Sequence, residues 1–211
     1  MKIEWIGHAC FRIAADDGTV VITDPYDPTV GIDMLPLEAD VITMSHEHHD
    51  HNETQMIKGS PVILRGGEGA ERGGMRITAH ASYHDDVQGA KRGPNYIYVF
   101  ECGGQKVVHM GDQGCMPDEA IIEAIRGADV MMIPAGGTYT VDAAGAKAIV
   151  EAAQPRCVIP MHVKTRRCGY PIAAVHAFLE AMGVPSLPPV QALPCGAQGV
   201  VLLAPKADKL W

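Results

Sequence analysis

Five short apolar runs in this chain lead into a histidine or an aspartate: VVIT into Asp24, VITMS into His46, RITAHASY into His84, KVVHMG into Asp112 and CVIPM into His162. Runs of this length, rich in β-branched residues, read as buried strands. In α/β folds the carboxyl ends of the strands form the edge where loops open and ligands bind. Five strands that deliver histidine and aspartate to one edge describe a built site rather than solvated surface. An α/β class follows from that placement.

The first third of the chain reads as short strands and tight turns. Lys2 to Ile6 alternates, Cys10 to Ala14 follows, and Asp17-Gly18 turns the chain into Thr19 to Thr23. Asp40 to Met44 and Met75 to Ala81 are further strands, and Asn52 to Lys58 reads as a short helix capped by Asn52. Tyr96 to Phe100 pairs with Lys106 to Met110 across Gly103-Gly104.

The second half changes period. It predicts helices over Pro117 to Arg126, Asp142 to Ala153 and Ile172 to Met182, with strands at Val130 to Ile133, Cys157 to Pro160 and Gly199 to Leu203. Ala39 to Met44 echoes Ala128 to Ile133, which suggests two α/β halves packed sheet to sheet. No linker divides the parts, so one domain over residues 1–211 is expected.

SHEHHDHN, residues 45–52, holds four of the ten histidines and lies far from either end, so it is not a tag. Imidazole and carboxylate suit zinc first, with iron or manganese as alternatives. His46 and His48, two apart on an extended loop, can grip one ion, and Asp50 and His51 can face a second. Two cations roughly 3.5–4 Å apart need a shared anionic ligand, and Asp112 is the natural bridge. His84 and His162 complete the two shells. His80, four residues before His84, is the competing candidate, but His84 is the one at the strand end.

His46-x-His48-x-Asp50-His51 resembles the H-x-H-x-D-H signature of the metallo-β-lactamase superfamily. Gly7-His8-Ala9-Cys10-Phe11, Tyr83-His84-Asp85, Gly111-Asp112 and Pro160-Met161-His162 are similar to its compact branch of ascorbate 6-phosphate lactonase-like hydrolases. The resemblance implies a four-layer αββα sandwich. It also implies two metals, the first on His46, His48 and His84, the second on Asp50, His51 and His162, with Asp112 between. One departure is Gln113, where many relatives carry threonine.

Around that set, Asp24, His8 and His109 are candidates to orient ligating histidines, with turn or core positions as the alternative. His49 is expected to face solvent or the pocket, and His176 to be structural. Lys164, Arg166, Arg167 and Tyr139 are candidate substrate contacts, the three basic residues for an anionic group. A solvated basic loop is the competing reading.

A dinuclear site implies a metal-activated hydroxide acting on a lactone or ester, an amide or a phosphoester, with Asp50 and Asp112 as the catalytic carboxylates. The alternatives are a phosphodiesterase and a non-catalytic metal-binding regulator. The partner expected is a small-molecule substrate, an anionic one if the basic loop contacts it. A net charge of −8 argues against a nucleic-acid partner. The six cysteines show no C-x-x-C pair and read as reduced, mostly buried thiols. MKIEWIGHACF is a strand pattern rather than an export signal, and no run reaches the roughly 18 apolar residues of a membrane span. A cytoplasmic protein without a membrane partner is expected, and a homo-oligomer is compatible with the chain.

Overall fold

The alternation of the opening residues sets the first sheet. In the computed structural model, which describes residues 1–207, β1 (Lys2–Gly7) pairs antiparallel with β2 (Cys10–Ala14), placing Trp5 opposite Phe11 and Ile3 opposite Ile13. β3 (Val20–Thr23) continues antiparallel. A small separate pair joins β4 (Leu37–Glu38) to β6 (Ile57–Lys58). β5 (Val41–Thr43) and β7 (Val62–Leu64) add parallel strands, giving the order β1-β2-β3-β5-β7.

The second sheet holds β8 (Ala70–Arg72), β9 (Met75–Tyr83), β10 (Pro94–Cys102), β11 (Gln105–His109), β12 (Val130–Pro134), β13 (Cys157–Met161) and β14 (Gly199–Val200). Its order is β14-β13-β12-β11-β10-β9-β8. β11 to β14 are parallel, while β10 is antiparallel to both β9 and β11. Two antiparallel steps restore direction, so β9, β11 and β13 all end on one edge.

Every residue of β12 and β13 is buried, so both faces of the sheet need cover. The first sheet covers one face through Trp5, Phe11, Ile13, Val21 and Val41. Helices α1 (Glu119–Ile125), α2 (Ala143–Ala153) and α3 (His176–Ala181) add Ile122, Ile149 and Phe178 to the same core. Each large apolar side chain fully buried there contributes roughly 1.5–3 kcal/mol. The alternate residues of the first sheet, Ile6, Ile22 and Ile42, meet Tyr26, Val30, Ile32 and Ile57. That outer layer is thin, carried by loops and by 3-10 turns at Pro28–Val30 and Thr54–Met56. The result is an αββα sandwich with one slender flank.

Several elements differ from the sequence reading. The expected helix at Asn52 to Lys58 is a 3-10 turn followed by β6, because Ile57 is drawn into the outer cluster and pairs with β4. Asn52 does not cap it; its side-chain amide donates to the Glu47 carbonyl at 2.9 Å, and Glu53 caps the turn. The third helix begins only at His176, since the Ala173 carbonyl, which a helix would use, accepts from the Lys164 N–H at 2.8 Å. α1 starts at Glu119 behind an Asp118 cap. Three cysteines are buried, two half-buried and one exposed, and none of them forms a disulfide. Among the described residues no helix is long and apolar enough to cross a membrane.

Candidate metal centre

Each strand end delivers one polar side chain to the shared edge. β5 leads through Ser45 into His46, β9 into His84, β13 into His162, and β11 through Gly111 into Asp112. Gly111 sits at φ 58°, and a Cβ there would run into Asn95 and Ser45. His8 follows β1, and Asp24 follows β3. His8, Asp24 and His162 all adopt left-handed backbone, at φ 53°, 39° and 49°. Such conformations are costly away from glycine and gather at functional sites. Residues 45–52 are coiled rather than extended: the His51 N–H donates to the His48 carbonyl at 2.9 Å. The coil buries His46 and His51 and leaves His48 exposed.

Asp112 lies at the centre. Its Oδ2 is 3.3 Å from Nε2 of His51, His84 and His162, and 4.0 Å from Nε2 of His46. Three sets of donor atoms each fall within 4.8 Å of one another: His46, His48 and His84; His8, Asp50, His51 and His162; and Asp24, His46 and His51. The Nδ1 atoms of His46 and His51 are already engaged, with Ser45 Oγ at 2.9 Å and Asp24 Oδ2 at 2.8 Å. That leaves bare Nε2 atoms facing a carboxylate. Both, with Asp112 Oδ1, are buried and have no hydrogen-bond partner among the described residues. A buried polar atom left unsatisfied costs roughly 1–3 kcal/mol. Divalent cations would satisfy all of these atoms together, so the residues present fit a metal group.

Comparison with known proteins agrees with this geometry. A family model described as a beta-lactamase superfamily domain matches residues 2–162, a span that contains all seven candidate ligands. The chain belongs to the metallo-β-lactamase superfamily. It is 30% identical over 190 residues to a UPF0173 metal-dependent hydrolase of Thermoplasma acidophilum, covering 78% of this chain and 84% of that one. It is 32% identical over 188 residues to a UPF0173 protein of Pyrococcus furiosus, with the same coverage. A crystal structure from Thermotoga maritima, described as a Zn-dependent hydrolase of the metallo-β-lactamase superfamily, superposes with a TM-score of 0.79 at 32% identity. That match covers 96% of this chain and 97% of the other.

Behind the candidate ligands of this metallo-β-lactamase superfamily member lies a fixed polar network. Asp24 is fully buried and accepts from Ser45 N–H at 2.8 Å, Ser45 Oγ at 2.6 Å and His51 Nδ1. With its oxygens committed, it orients His51 directly and His46 through Ser45. His109 Nε2 donates to the Ala9 carbonyl at 2.8 Å while its Nδ1 accepts from Gly111 N–H, propping the turn before Asp112. His8 Nε2 is 3.2 Å from Asp50 Oδ2, so His8 stands against a candidate ligand. Gln113 keeps its place by bonding Asn95, Ser82 and the Cys115 carbonyl. Asn95 in turn accepts from the Asp112 N–H at 2.9 Å.

Electrostatics favour ionised carboxylates. Burial pushes the Asp112 carboxyl up, but the imidazoles of His162 and His51 outweigh it and hold the group well below the usual range. Asp50 is likewise low, burial being overcome by His8 and His51. Burial, with His51 beside it, lowers His46 well below the ordinary imidazole value against the pull of Asp112. Burial lowers His84 in the same way. His51 goes the other way: burial opposes its charge, but Asp112 and Asp24 raise it well above that value.

The centre opens into a cavity of 320 Å³, whose lining also includes Arg92, Tyr139 and Tyr170. Of the predicted substrate contacts only Tyr139 lines it. Lys164 is a correction: its ammonium donates to the carbonyls of Cys168 and Tyr170 at 2.6 and 2.7 Å, holding a loop. Arg167 pairs with Asp33 at 2.7 Å, and Arg166 is exposed and does not line the cavity. His49 is exposed near Asp27, at the cavity rim. His80 lies along β9 opposite Ile97, outside all three donor sets, and His176 begins α3 on the surface. Ser45, Asn95, Arg92 and Tyr170 went unnoticed in the sequence. Only Ser45, adjacent to the histidine motif, carried a local signal.

Proposed function

We propose that this chain is a dinuclear metal-dependent hydrolase whose substrate is a small molecule with an ester or lactone, amide or phosphoester bond. The observation that carries the reading is one buried Asp112 oxygen ringed by four Nε2 atoms. His46, His48 and His84 would hold one divalent cation, Asp50, His51 and His162 the other, and Asp112 would serve both. Zinc comes first, as in the description of the Thermotoga maritima protein, with iron or manganese next. Bound there, the cations would acidify a water and polarise the scissile group.

The chain's own residues do the rest. Asp24 fixes the ring of His51, and Ser45 that of His46, so that each presents Nε2. Asp50 lines the cavity as an ionised acceptor held by His8 and Tyr170, placed to orient the attacking water. Tyr139 and Tyr170 line the cavity beside the centre. One domain spans the chain in this reading, since Leu193 and Lys206 N–H groups return to the Ile3 and Trp5 carbonyls of β1.

The test is a panel of lactone, p-nitrophenyl ester, anilide and bis(p-nitrophenyl) phosphate offered to metal-loaded protein. Saturable turnover of at least one, lost on chelation and restored by zinc, is expected. Turnover of the phosphodiester alone would narrow the enzyme to a phosphodiesterase. No turnover by fully loaded protein would contradict catalysis and leave a metal-binding regulator.

A further inference from the structure

Arg92 is the one permanent cation among the residues lining the cavity beside the metal centre. Its backbone is rigidly placed. Asp85 is buried and its carboxylate accepts from the N–H groups of Val87, Gly89, Lys91 and Arg92 at 2.7–2.9 Å. Those four bonds wind the segment after His84 into a fixed loop. The side chain is fixed as well: the guanidinium stacks 5.7 Å from the Tyr139 ring centroid, and Nη2 donates to the Thr138 carbonyl at 3.2 Å.

What Arg92 lacks is an anion. Lys91 beside it pairs with Asp86 at 3.2 Å, whereas no carboxylate of the described residues forms an ion pair with Arg92. A guanidinium has five N–H donors and one is spent on Thr138, so a forked face remains for an oxyanion. Local charge points the same way. Two divalent cations would bring four positive charges, and the lining carboxylates Asp50 and Asp112 return two. Tyr139 and Tyr170, with ring centroids 5.8 Å apart, give the intervening part of a ligand an aromatic wall. A cavity of 320 Å³ suits a small molecule.

We infer that Arg92 determines specificity by binding an oxyanion, a carboxylate or a phosphate, that the substrate carries apart from its scissile bond. The inference rests on the hydrolase reading above and names its substrate class. The substrate is an anionic small molecule that spans from the metal centre to the arginine.

The test compares kcat/KM for p-nitrophenyl valerate, mono-p-nitrophenyl glutarate and p-nitrophenyl 4-phosphonobutyrate in wild type, Arg92→Gln and Arg92→Lys, each verified for metal content and melting temperature. Wild type should prefer an anionic ester at least tenfold, and the larger preference identifies the oxyanion. Arg92→Gln, which can still bond Thr138, should lose that preference mainly through KM, and Arg92→Lys should keep part of it. An equal preference in wild type and a folded, metal-loaded Arg92→Gln overturns the inference. Glutarate binding by calorimetry gives a readout without turnover. A tenfold weaker affinity in Arg92→Gln supports the oxyanion site even where no ester is cleaved and the hydrolase reading fails; unchanged affinity overturns it.

Discussion

Replacing Asp112 with alanine should remove at least one metal equivalent per chain and reduce turnover by two to four orders of magnitude. The Asp112 carboxylate is buried, and its Oδ2 lies 3.3 Å from three imidazole nitrogens. Deleting one partner of a buried charged set costs roughly 3–5 kcal/mol, because the remaining groups lose their counter-charge with no water to replace it. The fold should survive, since the backbone N–H of residue 112 keeps its bond to Asn95. Metal analysis and kcat/KM on the same preparation check the result. An alanine variant with full metal and full turnover would remove the bridging carboxylate from the account.

Stripping the metals should have the second-largest effect. The centre gathers His46, His51, His84, Asp112 and His162 in a buried cluster whose bare nitrogens face a carboxylate. Free cation at a thousandfold excess over its dissociation constant adds about 4.1 kcal/mol to stability. For a domain of 150–250 residues each 1 kcal/mol moves Tm by roughly 2–4 °C. Dialysis against a chelator should therefore lower Tm by roughly 8–16 °C, and zinc should restore it. A Tm unmoved by chelation, on protein shown to have lost its metal, would mean that the cluster is held by protein contacts alone.

The strand ends were legible because both signals are local: a short apolar run, and the polar residue that terminates it. His46, His84, Asp112 and His162 could be brought to one edge without coordinates, since parallel strands share their carboxyl ends. The layer order was implied by the resemblance of the histidine motif to the superfamily's signature. Local proximity misled in the case of Lys164, which lies two residues past His162 yet spends its ammonium on the carbonyls of its own loop. Long-range partners were not legible. His8 reaches Asp50 across 42 positions, and Asn95 reaches Asp112 across 17. Arg92 carried no sign in a loop of small and charged residues; only the Asp85 bonds that wind that loop bring it to the cavity. The expected helix after the motif failed because burial of Ile57 and pairing with β4 overrode local helical preference.

The central claim is that these residues hold two divalent cations. Metal equivalents per chain, measured by mass spectrometry on protein purified without a tag or chelator, test it most directly. About two equivalents of zinc, iron or manganese, falling in Asp112→Ala, are the result expected. Protein that carries no metal and takes up none when zinc, iron or manganese is supplied would contradict the claim and the hydrolase reading with it.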